Sequence, residues 1–376
     1  MKKTRLIASA LSLSLAGALC LGLAACGSSD DPYKSEAWKM KSEEITSEEA
    51  WTEAFKAENF TNVNIEVVAT YEGKIRTSEA NAEEGKYVTK STLTIAGDTE
   101  YYKTETTIKE GTPLLKDLAK TLNEEVYSQK GTDNSYTAVY KNKDGAWRQC
   151  PTYGGAASVY LSRYLGYGEY YKLFKFVDAD TGYMTDVEAE GLSDYENSLV
   201  MDMWGIRLKF KDGKLAAIFS EINTMETTET NDENGGFTIS SVSVGMTRTA
   251  ITIKYGEQKL TVPTPTDSAY AGTWKTHQLI VDGTTYSVGD SIPAGLLPGA
   301  TTLAADMTEF EIKNDGTAIS KSPAGNIDGI WRESYTGIEF VTDGMYMDLE
   351  YDGTYLKADV SYLFQMPDVT LVFVKA

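Results

Sequence analysis

Two periods of hydrophobic and polar positions run along this chain. From about residue 271 onward the dominant period is two. Phe310 and Ile312 alternate with Glu309, Glu311 and Lys313. Met345, Met347, Leu349 and Tyr351 share one face, and Leu356, Ala358 and Val360 alternate with Tyr355, Lys357 and Asp359. Alternation of this kind predicts half-buried strands. Asp282-Gly283, Asp315-Gly316, Asp343-Gly344 and Asp352-Gly353 fall between these stretches. Asp-Gly tolerates the positive φ of tight hairpin turns, so the pattern predicts an antiparallel meander. A meander of about eight strands removes its exposed edges by closing into a barrel. Trp274, Phe310, Ile312, Trp331, Ile338, Phe340, Met345, Met347, Leu349 and Phe373 are the residues expected to fill it.

Before that region the pattern is mixed. A helix is expected after a Thr46 cap, with Glu49 as capping-box partner and Trp51 and Phe55 on one face. The stretches 64–71, 86–95 and 99–108 are rich in β-branched and aromatic residues and predict strands. Thr112-Pro113 opens a second helix with Leu115, Leu118 and Leu122 on one side. Hairpins are expected around Asp144-Gly145 and Asp212-Gly213, then strands at 237–244, 248–255 and 258–263. The fold class expected is mainly β with some helix (α+β): an antiparallel half-barrel with packed helices, followed by a small antiparallel β-barrel. The Pro-Thr-Pro run at Val262–Ser268 marks the boundary.

Tyr160, Tyr164, Tyr167, Tyr171 and Phe174 are spaced by four, three, four and three, which is one face of a helix. This stripe either lines a half-wet cleft or packs onto the sheet, and Gly166 and Gly168 interrupt it.

The N-terminus has a different pattern. Lys2, Lys3 and Arg5 precede an uncharged run from Leu6 to Ala25, the layout of a secretory signal. The run is long enough to span a bilayer, so plain secretion or an uncleaved anchor is the alternative. The run ends in Leu23-Ala24-Ala25-Cys26, which resembles the bacterial lipobox. That resemblance implies a signal peptide over 1–25, a diacylglyceryl group on the Cys26 thiol, and lipid anchorage on the extracytoplasmic face of a bacterial membrane. Residues 26–43 are expected to be a tether, with the polar part from Gly27 to Ser35 unfolded. Losing Lys2, Lys3 and Arg5 takes the formal charge from −20 to −23. Such a surface repels anionic lipid headgroups and nucleic acid, and no nucleic-acid partner is expected. Of three cysteines, only Cys150 then remains as a thiol, expected to be a small buried hydrophobe.

Two further resemblances concern the folded regions. Gly272-Thr-Trp274 looks like the Gly-x-Trp opening of lipocalins, and the text after it resembles compact lipocalin-like domains, over residues 271–376. The stretches "NFTNVNIEVVATYEG", "IRLKFKDGKLAAIFSEI" and "AITIKYGEQKLTVP" resemble half-barrel lipoproteins related to LolA, over residues 44–264, with 265–270 as linker. In that family an apolar cleft takes a lipid or lipidated molecule.

Candidate chemistry is sparse. His277 is the one histidine, which leaves Ser-His-Asp, Cys-His and His-based zinc sites little to work with. Asp178–Asp186 is similar to the start of a calcium loop, but lacks its sixth-position Gly and ends on Ala189 where an acid is needed. No cofactor or metal is expected. The expected function is a non-enzymatic membrane-anchored lipoprotein that binds a lipid or other small apolar ligand. The alternatives are a surface module holding a protein or glycan partner and an enzyme using carboxylates. The oligomeric state is left open.

Overall fold

The structure, a computed structural model, describes residues 30–76, 82–186, 192–193, 203, 205–231, 237–293, 301–323, 325–342, 346–361 and 368–376. Cys26 and Met345 lie outside these residues, as do Asp343-Gly344 and the side chain of Leu118. The described chain is mainly β with few helices, in two antiparallel sheets. It divides into two compact units. One is made of Ser128–Gly154 with Thr261–Ala376, and the other of the described residues up to Tyr127 with Gly155–Leu260.

The first sheet uses β1 (Asn62–Arg76), β2 (Ala82–Ala96), β3 (Thr99–Glu110), β4 (Glu124–Lys130), β5 (Tyr136–Lys141), β6 (Trp147–Thr152), β7 (Phe174–Asp178), β8 (Gly182–Thr185), β9 (Ile206–Lys211), β10 (Lys214–Asn231) and β11 (Phe237–Tyr255). Its order is β6-β5-β4-β3-β2-β1-β11-β10-β9-β8-β7. Neighbouring strands are mostly sequence neighbours, as hairpins require. The long-range closure is β1 on β11, where Ile65 stands opposite Ile253 and Val67 opposite Ile251.

The helices are α1 (Glu36–Lys39), α2 (Glu48–Ala54), α3 (Pro113–Thr121) and α4 (Ala156–Leu165). The cap of α2 is Ser47, not Thr46: the Ser47 hydroxyl accepts from the Ala50 amide at 3.2 Å. Ser47 has extended backbone, as an N-cap needs, and stands three residues before that amide. Thr112 caps α3 as expected, with Pro113 as its first residue. The two strands expected at 237–244 and 248–255 are one, β11, and residues 258–263 form no strand.

One face of this sheet, here called the inner face, carries the larger core of the second unit. Trp51 and Phe55 of α2 and Leu161 of α4 pack onto Val63, Ile65, Val67, Leu93, Phe210 and Ile251. The opposite, outer face is partly covered by the segment leading into α1. Ala37, with Trp38 and Met40 against it, packs on Ala217, Phe219 and Ala250.

The second sheet uses β12 (Gly272–Val281), β13 (Thr284–Ser287), β14 (Glu309–Ile312), β15 (Thr317–Ser322), β16 (Gly325–Glu333), β17 (Gly337–Val341), β18 (Tyr346–Tyr351), β19 (Tyr355–Asp359) and β20 (Val369–Lys375). β12 pairs with β14 through Gly272–Lys275 and with β20 along its other edge, which closes eight strands into a barrel. β13 is the ninth strand, folded back on Gln278–Val281 of β12. Asp282 and Gly283, between β12 and β13, have φ of 46° and 78°, the double positive φ of a two-residue hairpin turn. The barrel is filled by side chains. Trp274, Phe310, Trp331, Ile338, Phe340, Leu349 and Phe373 are each at most 3% exposed.

The β5–β6 hairpin belongs to the barrel's unit, and Glu333 of β16 fastens it there. The Glu333 carboxylate accepts from Arg148 Nε at 2.5 Å, Asn142 Nδ2 at 2.6 Å and the Ser268 hydroxyl at 2.5 Å. Its backbone N–H donates to the Tyr140 hydroxyl at 2.7 Å. Burial pushes the Glu333 pKa up, but the hydrogen bonds from Ser268, Arg148 and Asn142 outweigh it and hold the group below the usual range. Thr266 and Ser268, in the segment expected to be a linker, are thus bonded into this unit.

Candidate functional site

The aromatic stripe does not line an open cleft. α4 ends at Leu165 and two 3-10 turns follow, Gly166–Glu169 and Tyr171–Leu173. Tyr160, Tyr164 and Phe174 are buried in the core under the sheet, with Tyr167 and Tyr171 packed against it. Trp51 is the centre of this packing, 5.3 Å from the Phe174 ring and 5.6 Å from that of Tyr171. Of the two readings of the stripe, packing is the one found.

Gly272 and Trp274 mark the first barrel strand and perform a structural task. Gly272 has φ of 133°, and Trp274 is 2% exposed, its indole N–H donating to the Tyr270 carbonyl at 2.8 Å. Lys375 lies over its ring. His277 is half-buried and stacked on Tyr355. Cys150 is buried on β6. The Asp178 segment is the β7–β8 turn, in which Asp178 accepts from the Thr181 amide at 2.7 Å. Among the described residues no group of three or more His, Cys, Asp or Glu could hold a metal ion. No described helix is long and apolar enough to cross a membrane.

A feature the sequence did not flag lies on the inner face of the first sheet. Along β1, β2, β3 and β11 this face changes character. At one end it is aliphatic: Val63, Ile65, Leu93, Ile95, Ile251 and Ile253. Further along, β2, β3 and β11 present hydroxylic residues, and β1 passes through Val67 to Ala69. Ala69 stands opposite Thr89 and Thr249, Ser91 opposite Thr104, and Thr89 opposite Thr106. Beyond these, Tyr71 stacks on Tyr87 at 5.2 Å. Because the face alternates with the other at period two, a one-residue reading of hydrophobicity hides this band.

Ser91 is 0% and Thr104 5% exposed, and neither side-chain hydroxyl has a hydrogen-bond partner among the described residues. The next pair shows what the spacing permits: the Thr89 and Thr106 hydroxyls bond each other at 3.0 Å. A buried hydroxyl without a partner costs about 1–3 kcal/mol, so two side by side set this band apart from the rest of the core.

Glu100 of β3 lies at the aliphatic end of the same face, opposite Ile95. Its carboxylate, 3% exposed as a residue, accepts from the Ala157 and Ser158 amides at 2.9 Å each and from the Ser158 hydroxyl. It therefore caps α4, whose N-cap residue Gly155 has no side chain to do so. A Cβ on Gly155 would lie 2.0 Å from the Glu100 carboxylate, so only glycine admits this contact.

On the outer face, the segment that enters α1 flanks a cleft of about 760 Å³. Lys34, Lys39, Lys41, Lys211 and Lys254 line it, with Glu36, Glu43 and Glu66. Below it Lys209, 3% exposed, donates to the Trp38 and Met40 carbonyls at 2.6 and 2.8 Å. Burial lowers the Lys209 pKa.

The mainly-β architecture, with a closed eight-stranded barrel and a large antiparallel sheet, is compatible with lipocalin-like and LolA-like folds. Compared with known protein families and with curated proteins, the chain matches none.

Proposed function

We propose that this chain is a non-catalytic lipoprotein, anchored through acylated Cys26 on the extracytoplasmic face of a bacterial membrane, whose first sheet takes up a small amphiphile. Its apolar part would displace side chains of α2 and α4 that cover the aliphatic end of the inner face. The Ser91 and Thr104 hydroxyls receive its polar group. The lipobox and the resemblance to LolA-like and lipocalin-like lipoproteins support the setting. The observation that carries the site is the pair of buried, unpartnered hydroxyls beside an aliphatic surface. The barrel, its interior already occupied by aromatic side chains, serves as a rigid companion and not as a second calyx.

The test is to purify the protein from its own membranes and analyse the extract by mass spectrometry. A lipid or other amphiphile at near-stoichiometric amount is expected. It should fall strongly in the Ser91→Ala/Thr104→Val double variant, whose volume changes little. A wild-type protein that yields no such molecule contradicts the reading.

A further inference from the structure

The proposal rests on the lipoprotein reading and extends it to orientation. Only Gly27, Ser28 and Ser29 separate Cys26 from Asp30. Asp30 is held to the sheet, paired with Lys90 at 2.8 Å and with Lys109 at 2.7 Å, and these contacts hold its carboxyl below the usual range. From there the chain is packed, not free. Pro32, Ser35 and Ala37 are buried. The Tyr33 hydroxyl bonds Glu221, and Trp38 is packed between the Phe219 ring at 4.7 Å and the Arg207 guanidinium at 4.8 Å. The part of the expected 26–43 tether from Asp30 onward is thus packed. Four Cα steps span at most about 14 Å.

We infer that the outer face of the first sheet, on the side of α1, lies against the headgroups of the membrane that carries the anchor. A leash of this length cannot take the folded edge at Asp30 further away. The same face bears the lysine-lined cleft. Lys254 pairs there with Glu36 and Glu66, Lys34 with Asp31 and Lys41 with Asp180. Lys39 and Lys211 have no carboxylate partner among the described residues. On a chain of formal charge −20, or −23 without Lys2, Lys3 and Arg5, this is a local relief from negative charge, suited to an anionic headgroup surface. The inner face, covered by α2 and α4, is directed away from the bilayer.

The experiment uses the lipidated full chain in vesicles containing anionic lipid and a nickel-chelating headgroup. Spin labels are placed singly at Lys34→Cys, Lys39→Cys and Glu169→Cys, each in a Cys150→Ser background. Lys34 and Lys39 are exposed on the outer side, and Glu169 is exposed on the helix side. Intact mass first establishes lipid on Cys26, and unfolding curves establish that each variant folds. Relaxation by the nickel should be several-fold greater at the first two sites than at Glu169. A flexible 15-residue spacer after Ser29 should abolish the difference, since it adds about 20 Å of reach. Equal relaxation at all three sites in lipidated protein overturns the orientation and leaves the anchor standing. Absence of lipid on Cys26 overturns both.

Discussion

At the centre of the barrel the Phe310 ring meets Phe340 at 5.4 Å and Phe373 at 5.1 Å. At the centre of the sheet's inner face Ser91 stands opposite Thr104, and neither hydroxyl is bonded among the described residues. Both regions are antiparallel, both are built from hairpins, and both bury the positions named. They differ in what the buried positions contain. A small closed barrel has a radius fixed by its strand number, and large rings fill it. A sheet covered by separate helices has no such constraint, so its inner face can be aliphatic where α2 and α4 press on it and hydroxylic elsewhere. The comparison teaches that this closed barrel fills its interior with rings, whereas the layered sheet keeps part of its interior short and hydroxylic.

The largest effect that sharpens this contrast is expected at Trp274. Trp274→Ala removes a ring buried to 2% and should destabilise the barrel's unit by about 3–5 kcal/mol in denaturant unfolding. Next is Glu333→Ala, which leaves Arg148 without its carboxylate, at a cost of about 3 kcal/mol. The pH dependence has a definite sign. Because the folded pKa of Glu333 is depressed, its contribution is complete above about pH 4.3, the ordinary glutamate value, and is lost as pH falls through the lower folded value. Wild type should therefore lose stability on acidification across that window faster than Glu333→Ala, as read from thermal unfolding against pH. An equal loss in both removes Glu333 from the account.

A smaller effect is expected at the helix cap. Gly155→Ala drives a methyl against Glu100 and displaces the carboxylate from the Ala157 and Ser158 amides. It should cost about 1–2 kcal/mol, the size of a lost helix cap, with the loss of amide-exchange protection concentrated in the first turn of α4. The smallest effect has the opposite sign. In ligand-free protein, Ser91→Ala with Thr104→Val removes two unpartnered buried hydroxyls and should leave stability unchanged or raise it by about 1 kcal/mol. A marked destabilisation would mean that these hydroxyls serve the fold.

The barrel was the more legible region. Its information is local: alternation at period two, Asp-Gly at the turns, and a list of apolar positions of which every described member is buried in its core. The packing of the tyrosine stripe was legible as one of two readings, because the spacing fixes a shared face and not what that face meets. What escaped the sequence is non-local. Glu100 caps a helix that begins 56 residues later, and no spacing rule connects Glu100 to Gly155. The segment 30–43 reads as polar leash because its apolar residues, Ala37, Trp38 and Met40, are few; their partners, Ala217, Phe219 and Ala250, come from β10 and β11. The hydroxyl band is spread over three strands, β2, β3 and β11, with one or two residues on each. Only the strand register brings Ser91, Thr104, Thr89 and Thr249 together.

The central claim is that the inner face binds an amphiphile through those hydroxyls. The most direct measurement is an equilibrium titration of a fluorescent fatty acid into the chain from Gly27 to Ala376, produced without its anchor and freed of bound lipid. Saturable one-to-one binding is expected. The Ser91→Ala/Thr104→Val variant should weaken it about tenfold or more, as two lost hydrogen bonds of about 1 kcal/mol each require, with stability equal to or above wild type. Equal affinity in the variant, or no saturable binding by the wild type, would contradict the account.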